Sequence, residues 1–418
     1  VPVQQDDLGH RSETVRRANL SLIVRELHRR GPLSRSELVA RTGLTRSAIR
    51  GLIGELVASG LVAESRASGS GTPGRPSVLV TPVAAAATVL ALDIEVDSLA
   101  AAIVGLGGEV LDEARVDRPR ESASVEDVVG VLAGLAATLR TTDGAADHEI
   151  GIGVAVVGVV RRLDGVVSMA PNLGWVDVGL RDAIAQAFGP DVPIQIANEA
   201  NLGALAEARR GAAVGIDDVL FLSGEVGIGG GIIIDGEPFT GAAGYGGEVG
   251  HMPVNPTGQP CRCGAVGCWE TEAGSESLLT RAGRAATGGR AAVATLLADA
   301  EAGSTEALDA LEETGRWIGI GLAGLVNVLD PKLVVFGGLF GRIYPFVSQI
   351  VEGELDGRAL AAPRRLVRIV PSKLGVEASL LGAAELAMEP LLADPARWMR
   401  PREMDAPSME GRQRRVVA

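Results

Sequence analysis

Aromatic residues make up only 3% of this 418-residue chain, so a core serving its 46% hydrophobic content must be built mostly from Ala, Val, Leu and Ile. Lysine is nearly missing: Lys332 and Lys373 are the only two, and arginine supplies almost all positive charge. No apolar run reaches the roughly twenty residues needed to cross a bilayer, which excludes a spanning helix. The opening run VPVQQDDLGHRSETVRR lacks the apolar centre of a secretory signal, so a cytoplasmic protein with no membrane partner is expected. Cysteine occurs three times. An odd number fits a disulfide framework poorly, and a reducing compartment would keep the thiols free.

The three cysteines are not scattered. All fall in residues 241–272, GAAGYGGEVGHMPVNPTGQPCRCGAVGCWETE, with one of the four histidines ten residues before the first of them. His251, Cys261, Cys263 and Cys268 are spaced H-x9-C-x-C-x4-C, and Gly264 and Gly267 permit tight turns around one centre. That donor set suits a closed tetrahedral Zn2+ site. Four protein ligands leave no open position for a substrate water, so the expected metal is structural. Glu248 precedes His251 by three residues and Glu270 follows Cys268 by two. A knot over 251–268 would therefore gather two carboxylates and one imidazole face, which can accept hydrogen bonds from sugar hydroxyls. The alternative is a pair of solvated surface glutamates.

Charge divides the chain. Residues 1–82 hold 12 Arg and 7 Asp or Glu, a net +5, and the remaining 336 hold 27 basic and 45 acidic residues, a net −18. A basic module on an acidic body suggests that the small part meets a polyanion. Within it, Val15, Leu20, Ile23, Val24 and Leu27 fall on one helical stripe. Ser34 and Glu37 form a capping box, and Thr45 caps a third helix whose buried stripe would be Ile49, Leu52, Ile53 and Leu56. A wing-like pair of strands follows. Residues 12–82 are thus expected to form a winged helix-turn-helix that binds operator DNA. Thr45, Arg46, Ser47 and Arg50 would stand at the groove end of the third helix. Arg75, in the wing-tip run Gly74-Arg75-Pro76, would enter a minor groove or belong to a linker.

From residue 88 a meander of strands, then strands alternating with helices, and the arrangement occurring twice, predict an α/β domain of two related lobes over 88–389. Residues 390–418 are expected to be a disordered tail of no assigned role.

GEVGH at 247–251 and CRCGAVGCWE at 261–270 resemble the signature of the ROK family (repressors, open reading frames, kinases). The resemblance implies a ribonuclease-H-like, actin/sugar-kinase-type fold with ligand in the cleft between lobes. It implies sugar contacts at Asn172, Asn198, Glu199, Glu248, His251 and Glu270. Trp175 and Trp269 flank these in sequence and would either line the pocket or, as large aromatics more often do, belong to the core. Family kinases open with Asp-x-Gly-Gly-Thr, where this chain has Asp93-Ile94-Glu95-Val96-Asp97. Two like charges about 4 Å apart repel by roughly 4 kcal/mol at an effective dielectric near 20, so a triphosphate is disfavoured there. The family's second phosphate loop, Gly-Thr-Gly-x-Gly, becomes Gly224-Glu225-Val226-Gly227-Ile228-Gly229, with valine for threonine. Its catalytic Asp-in-Asn-Asp-Ala-Asn becomes Glu199, a longer side chain. No catalytic residue is therefore expected. The expected protein is a sugar-responsive transcriptional regulator, a homodimer or dimer of dimers, with a small-molecule sugar effector. A bifunctional sugar kinase with a DNA-binding arm is the rival, and a DNA-binding scaffold that senses no sugar is the third reading.

Overall fold

The computed structural model describes residues 5–66, 78–118, 124–140 and 148–399. The chain divides into two compact units, one running to Val83 and including the segment from Leu391, the other spanning Ala84–Pro390.

The first unit opens with helix α1 (Gln5–Arg30), then strand β1 (Leu33–Ser34), helix α2 (Arg35–Thr42), helix α3 (Arg46–Ala58) and the wing strands β2 (Val62–Arg66) and β3 (Val78–Pro82). The three strands form one antiparallel sheet in the order β1-β3-β2. Leu20, Ile23, Val24 and Leu27 of α1 are buried with Leu38 of α2 and Ile49, Leu52, Ile53 and Leu56 of α3. Val15 is 58% exposed, so the buried stripe of α1 begins one turn later than the sequence suggested. The Ser34–Glu37 capping box is present in both directions, at 3.2 and 2.8 Å. Gly43 ends α2 at φ 70°, a left-handed conformation that costs glycine little and leaves α3 at an angle to α2. This is a winged helix-turn-helix.

The tail expectation is corrected for residues 390–399. A helix continues through Ala393, and the 3-10 turn Pro395–Arg397 follows. Leu391 and Leu392 are buried, the Ser21 hydroxyl donates to the Leu392 carbonyl at 2.7 Å, and Arg17 lies 3.5 Å from Asp394. Composition pointed to disorder, but apolar burial and a helix-to-backbone hydrogen bond tie this stretch into the first unit. Residues 400–418 lie outside the described residues.

The second unit contains two five-stranded sheets with the same connectivity. The first lobe carries β4 (Thr88–Ile94), β5 (Ser98–Gly105), β6 (Val110–Asp117), helix α4 (Val125–Leu139) and β7 (Glu149–Val156). It continues with β8 (Val159–Val160), β9 (Val167–Ala170), β10 (Trp175–Val178), α5 (Leu180–Phe188) and β11 (Ile194–Asn198). Helix α6 (Glu199–Arg210) leads to the second lobe, with β12 (Val219–Gly224), β13 (Ile228–Ile234), β14 (Glu237–Pro238), α7 (Trp269–Ala273), α8 (Ser275–Arg281) and α9 (Gly289–Glu301). Then come α10 (Thr305–Leu329), β15 (Leu333–Gly337), α11 (Gly338–Arg358), α12 (Ala361–Leu366), β16 (Arg368–Pro371) and α13 (Ala378–Ala393).

The sheet orders are β11-β7-β4-β5-β6 and β14-β13-β12-β15-β16, each an antiparallel meander extended by two parallel strands. Every residue of β4 and β5 is buried, as strands covered on both faces require. The expected two-lobed α/β fold is therefore present. Strand β7 ends at Val156, and β8 joins β9 and β10 in a small separate sheet, β10-β9-β8. Among the described residues, no helix is long and apolar enough to cross a membrane.

Candidate functional site

A cavity opens between the lobes. Its lining includes Glu95, Asp97, Asn172, Asn198, Glu199, Glu225, Glu248, His251, Arg262, Glu270 and Arg290. All six expected sugar contacts are among them. Asn172 sits in the turn between β9 and β10, where the Leu173 amide donates to the Ala170 carbonyl. Asn198 ends β11 and caps α6: its side-chain oxygen accepts from the Ala200 and Asn201 amides at 2.9 and 3.1 Å. Its amide nitrogen donates to the Gly158 carbonyl at 3.1 Å and to Glu199 at 2.5 Å. Asn198 is thus largely committed to holding Glu199 at the first position of α6.

Glu248 precedes a 3-10 turn, Val249–His251, that aims the imidazole at the knot. The ligating atoms of His251, Cys261, Cys263 and Cys268 all lie within 4.8 Å of one another. Nδ1 of His251 is 3.7 Å from the Cys261 sulfur, and the Cys263 and Cys268 sulfurs are 3.6 Å apart. Tetrahedral thiolates at about 2.3 Å from zinc would stand about 3.8 Å apart, so the spacing suits such an ion. The four residues form a cluster able to hold a metal. His251 turns its other nitrogen, Nε2, toward Glu248 at 4.0 Å, while Glu270 lies 3.6 Å from Nδ1.

Glycines in β13 and the loop before it give the carboxylates room. A Cβ on Gly227 would stand 2.5 Å from Glu270, and one on Gly229 would stand 2.9 Å from Glu199. The glycine-rich run 227–231 forms the turn and second strand of the β12–β13 hairpin and makes this close approach possible.

Trp175 and Trp269 are buried and do not line the cavity. The Trp269 indole N–H donates to the Trp317 carbonyl at 2.7 Å, and its ring packs 6.3 Å from that of Phe340. Of the two readings the sequence left for them, core and pocket lining, both belong to the core, where large aromatic surface is best removed from water.

The other end of the cleft differs from what sequence implied. Glu95 and Asp97 do not stand bare. Arg290, at the start of α9, forms a short ion pair with Glu95 and lies 3.7 Å from Asp97 and 3.6 Å from Glu225. Ser98 also donates to Glu95 at 3.0 Å. Burial opposes charge on Arg290, but Glu95, Glu225 and Asp97 together hold its protonation above the ordinary arginine range. Burial, aided by Glu95, raises Asp93 to about 8; one of its oxygens accepts from Ser379 at 2.8 Å and the other is buried without a partner. Burial raises Glu225 to about 7 and, with Glu248 nearby, pushes Glu199 well above the usual carboxylate range. Glu248 is raised by burial as well. Burial and the neighbouring carboxylates thus favour the neutral form of Glu199 compared with an exposed glutamate.

Sequence reasoning missed Arg262 and Arg290. Arg262 stands between two cysteines of the knot and crosses to the other lobe, donating to Asn172 at 2.7 Å and to Glu276 at 3.0 Å. Its place inside the cysteine cluster was a usable signal. Arg290 lies in an unremarkable helical run, and only the fold brings it to the cleft.

In the first unit, Thr45 caps α3 by accepting from the Ala48 amide at 3.3 Å. Thr45, Arg46, Ser47 and Arg50 are all exposed at that helix end. Arg75 lies outside the described residues.

Residues 89–389 match the model of the ROK family, and residues 21–71 match the MarR family. The chain belongs to the ROK family, with a winged helix-turn-helix ahead of the family domain. It is similar to the xylose repressor of Bacillus subtilis (strain 168), 30% identical over 380 residues that cover 90% of this chain and 97% of that one. It is also similar to the glucokinase of Streptomyces coelicolor, 30% identical over 320 residues, covering 72% of this chain and 98% of that one. Among solved structures, a ROK family transcriptional regulator described as a homolog of the E. coli MLC protein superposes with a TM-score of 0.74 at 26% identity, covering 91% of this chain and 97% of its own.

Proposed function

We propose that this chain is a sugar-responsive, DNA-binding transcriptional repressor whose kinase-like domain binds a sugar without phosphorylating it. The observation that carries the reading is the contrast within one cleft. Groups able to bind hydroxyls, Asn172, Glu199, Glu248, His251 and Glu270, line one end, while Arg290 is bound up with Glu95, Asp97 and Glu225 at the other. The likeness to a repressor supports this reading, because it extends over 90% of this chain and 97% of that one.

In this reading the metal is zinc, held by Nδ1 of His251 and the three thiolates, and its role is structural. Ligation through Nδ1 would hold the imidazole with Nε2 toward Glu248 and the sugar. Thr45, Arg46, Ser47 and Arg50 enter the major groove, arginine being able to pair with guanine through two hydrogen bonds. Arg75 reaches the minor groove. A homodimer or dimer of dimers places two such helices on a pseudo-palindromic operator. Sugar shifts DNA affinity only by its difference in affinity for the two shapes of the protein.

Fluorescence anisotropy with a duplex selected from a random pool tests this, using the full chain and a panel of aldoses that starts with xylose and glucose. At least one aldose is expected to change DNA affinity about tenfold, a coupling of roughly 1.4 kcal/mol. No change with any aldose would remove the sensor reading. Replacing Arg46 and Arg50 together by alanine is expected to weaken DNA binding by about 2 kcal/mol or more and leave sugar binding intact.

The likeness to a glucokinase favours a second reading, a bifunctional kinase. A coupled ADP-release assay separates the two, because turnover above about 1 s⁻¹ lies in the ordinary enzyme range and would establish the kinase.

A further inference from the structure

Helix α11 is 21 residues long, and its N-terminus opens on the cleft at Gly338. The N-terminus of a long helix, with its free amides and partial positive charge, is a natural seat for an anion. In this chain an internal anion stands there. Glu225 Oε1 lies 2.7 Å from where a Cβ on Gly338 would be, so glycine is what lets the carboxylate approach the first residue of the helix. Arg290 neutralises Glu225 from the other side at 3.6 Å and binds Glu95 and Asp97 with the same guanidinium. Within the loop, the Glu225 amide is already engaged, donating to the Gly227 carbonyl at 2.9 Å.

We infer that Glu225 and Arg290 act as a built-in surrogate for a bound phosphate and its counter-ion, so that the cleft selects a neutral, unphosphorylated sugar and rejects sugar phosphates. The inference rests on the sugar-sensor reading and narrows its ligand class. A phosphate needs a free cation or a free amide cradle. The cavity lining offers two guanidiniums and no lysine, and both guanidiniums are engaged: Arg290 as described, Arg262 with Asn172 and Glu276. A phosphate ester seated among Glu248, Glu270 and Glu199 would have their carboxyl groups as neighbours in place of a free cation. Glu95 and Asp97 keep the filled end negative whatever the protonation of Glu225.

Calorimetric titration of the zinc-loaded full chain tests this, with glucose, xylose and N-acetylglucosamine set against glucose 6-phosphate, xylose 5-phosphate and N-acetylglucosamine 6-phosphate. At least one neutral sugar is expected to bind about 100-fold more tightly than its phosphate, the scale of opposed like charges in a partly buried site. Glu225→Gly, which empties the helix terminus, is expected to narrow that ratio about tenfold. Glu95→Gln serves as a second variant, with thermal melting as the check on folding, and is expected to narrow it in the same direction. A phosphate that binds as tightly as its parent sugar overturns the inference and leaves the sensor reading standing. A ratio unmoved in both folded variants overturns the assignment to this cluster. If no sugar of either kind binds, the sensor reading falls as well.

Discussion

The two ends of the cleft were made by different kinds of sequence information. At the hydroxyl end, His251, Cys261, Cys263, Cys268, Glu248 and Glu270 lie within 23 consecutive residues, 248–270, and a metal-sized cluster gathers them without long-range help. At the phosphate end, Glu95 and Asp97 come from the turn after β4, Glu225 from the turn after β12 and Arg290 from α9. Local spacing creates the knot and its two carboxylates, to which topology adds Asn172 and Glu199, whereas topology alone assembles the second end. A sequence motif can therefore report what a site has kept more readily than what has moved in to replace what it lost.

The largest effect that would sharpen this contrast is at the knot. Cys263→Ser is expected to cost more metal affinity than the 10- to 100-fold, in round terms about 30-fold, typical of losing a group behind a ligand. It should also abolish the sugar response, since Glu270 and His251 lose their common anchor. Metal content by elemental analysis alongside sugar titration checks both, and a full response without metal would break the link.

Next in size is Arg290→Ala, which leaves Glu95, Asp97 and Glu225 without their shared cation. Removing one partner of a buried pair costs about 3–5 kcal/mol, but the Arg290 side chain is 29% exposed, so a loss nearer about 2 kcal/mol is expected in denaturant unfolding. An unchanged stability would mean that water already screens the cluster and that the phosphate end is open.

The smallest expected effect concerns Asp93. Its folded-state pKa is raised from 3.8 to about 8, so the folded protein holds this proton more tightly than the unfolded chain. The stabilisation is complete below about pH 4 and is lost as pH rises through about 8. Asp93→Asn keeps an acceptor for Ser379 but removes the titration. It is expected to flatten the fall in melting temperature between pH 5 and about 8 and to raise stability at the upper end. Parallel curves for both proteins would contradict the burial argument.

Much of the fold was legible because its strands are apolar, short and bounded by glycine, and because capping residues such as Ser34 and Thr45 mark helix starts locally. The small β10-β9-β8 sheet was not, since strands of two to four residues carry too little periodicity to register. The tail was misread from Pro390 because proline and charge outweighed Leu391 and Leu392, whose burial depends on α1, distant in sequence. Proximity to pocket residues in sequence left Trp175 and Trp269 between pocket and core. The alternation of side-chain direction along a strand or helix turn sent them into the core.

The filled phosphate end is the claim on which the non-catalytic reading turns. Titrating magnesium ATP into the zinc-loaded, sugar-saturated chain tests it most directly, followed by a crystal structure from the same mixture. The account predicts no measurable binding up to about 1 mM and Arg290 still paired with Glu95. A triphosphate seated beside Glu95 and Asp97, with Arg290 turned onto it, would contradict the account.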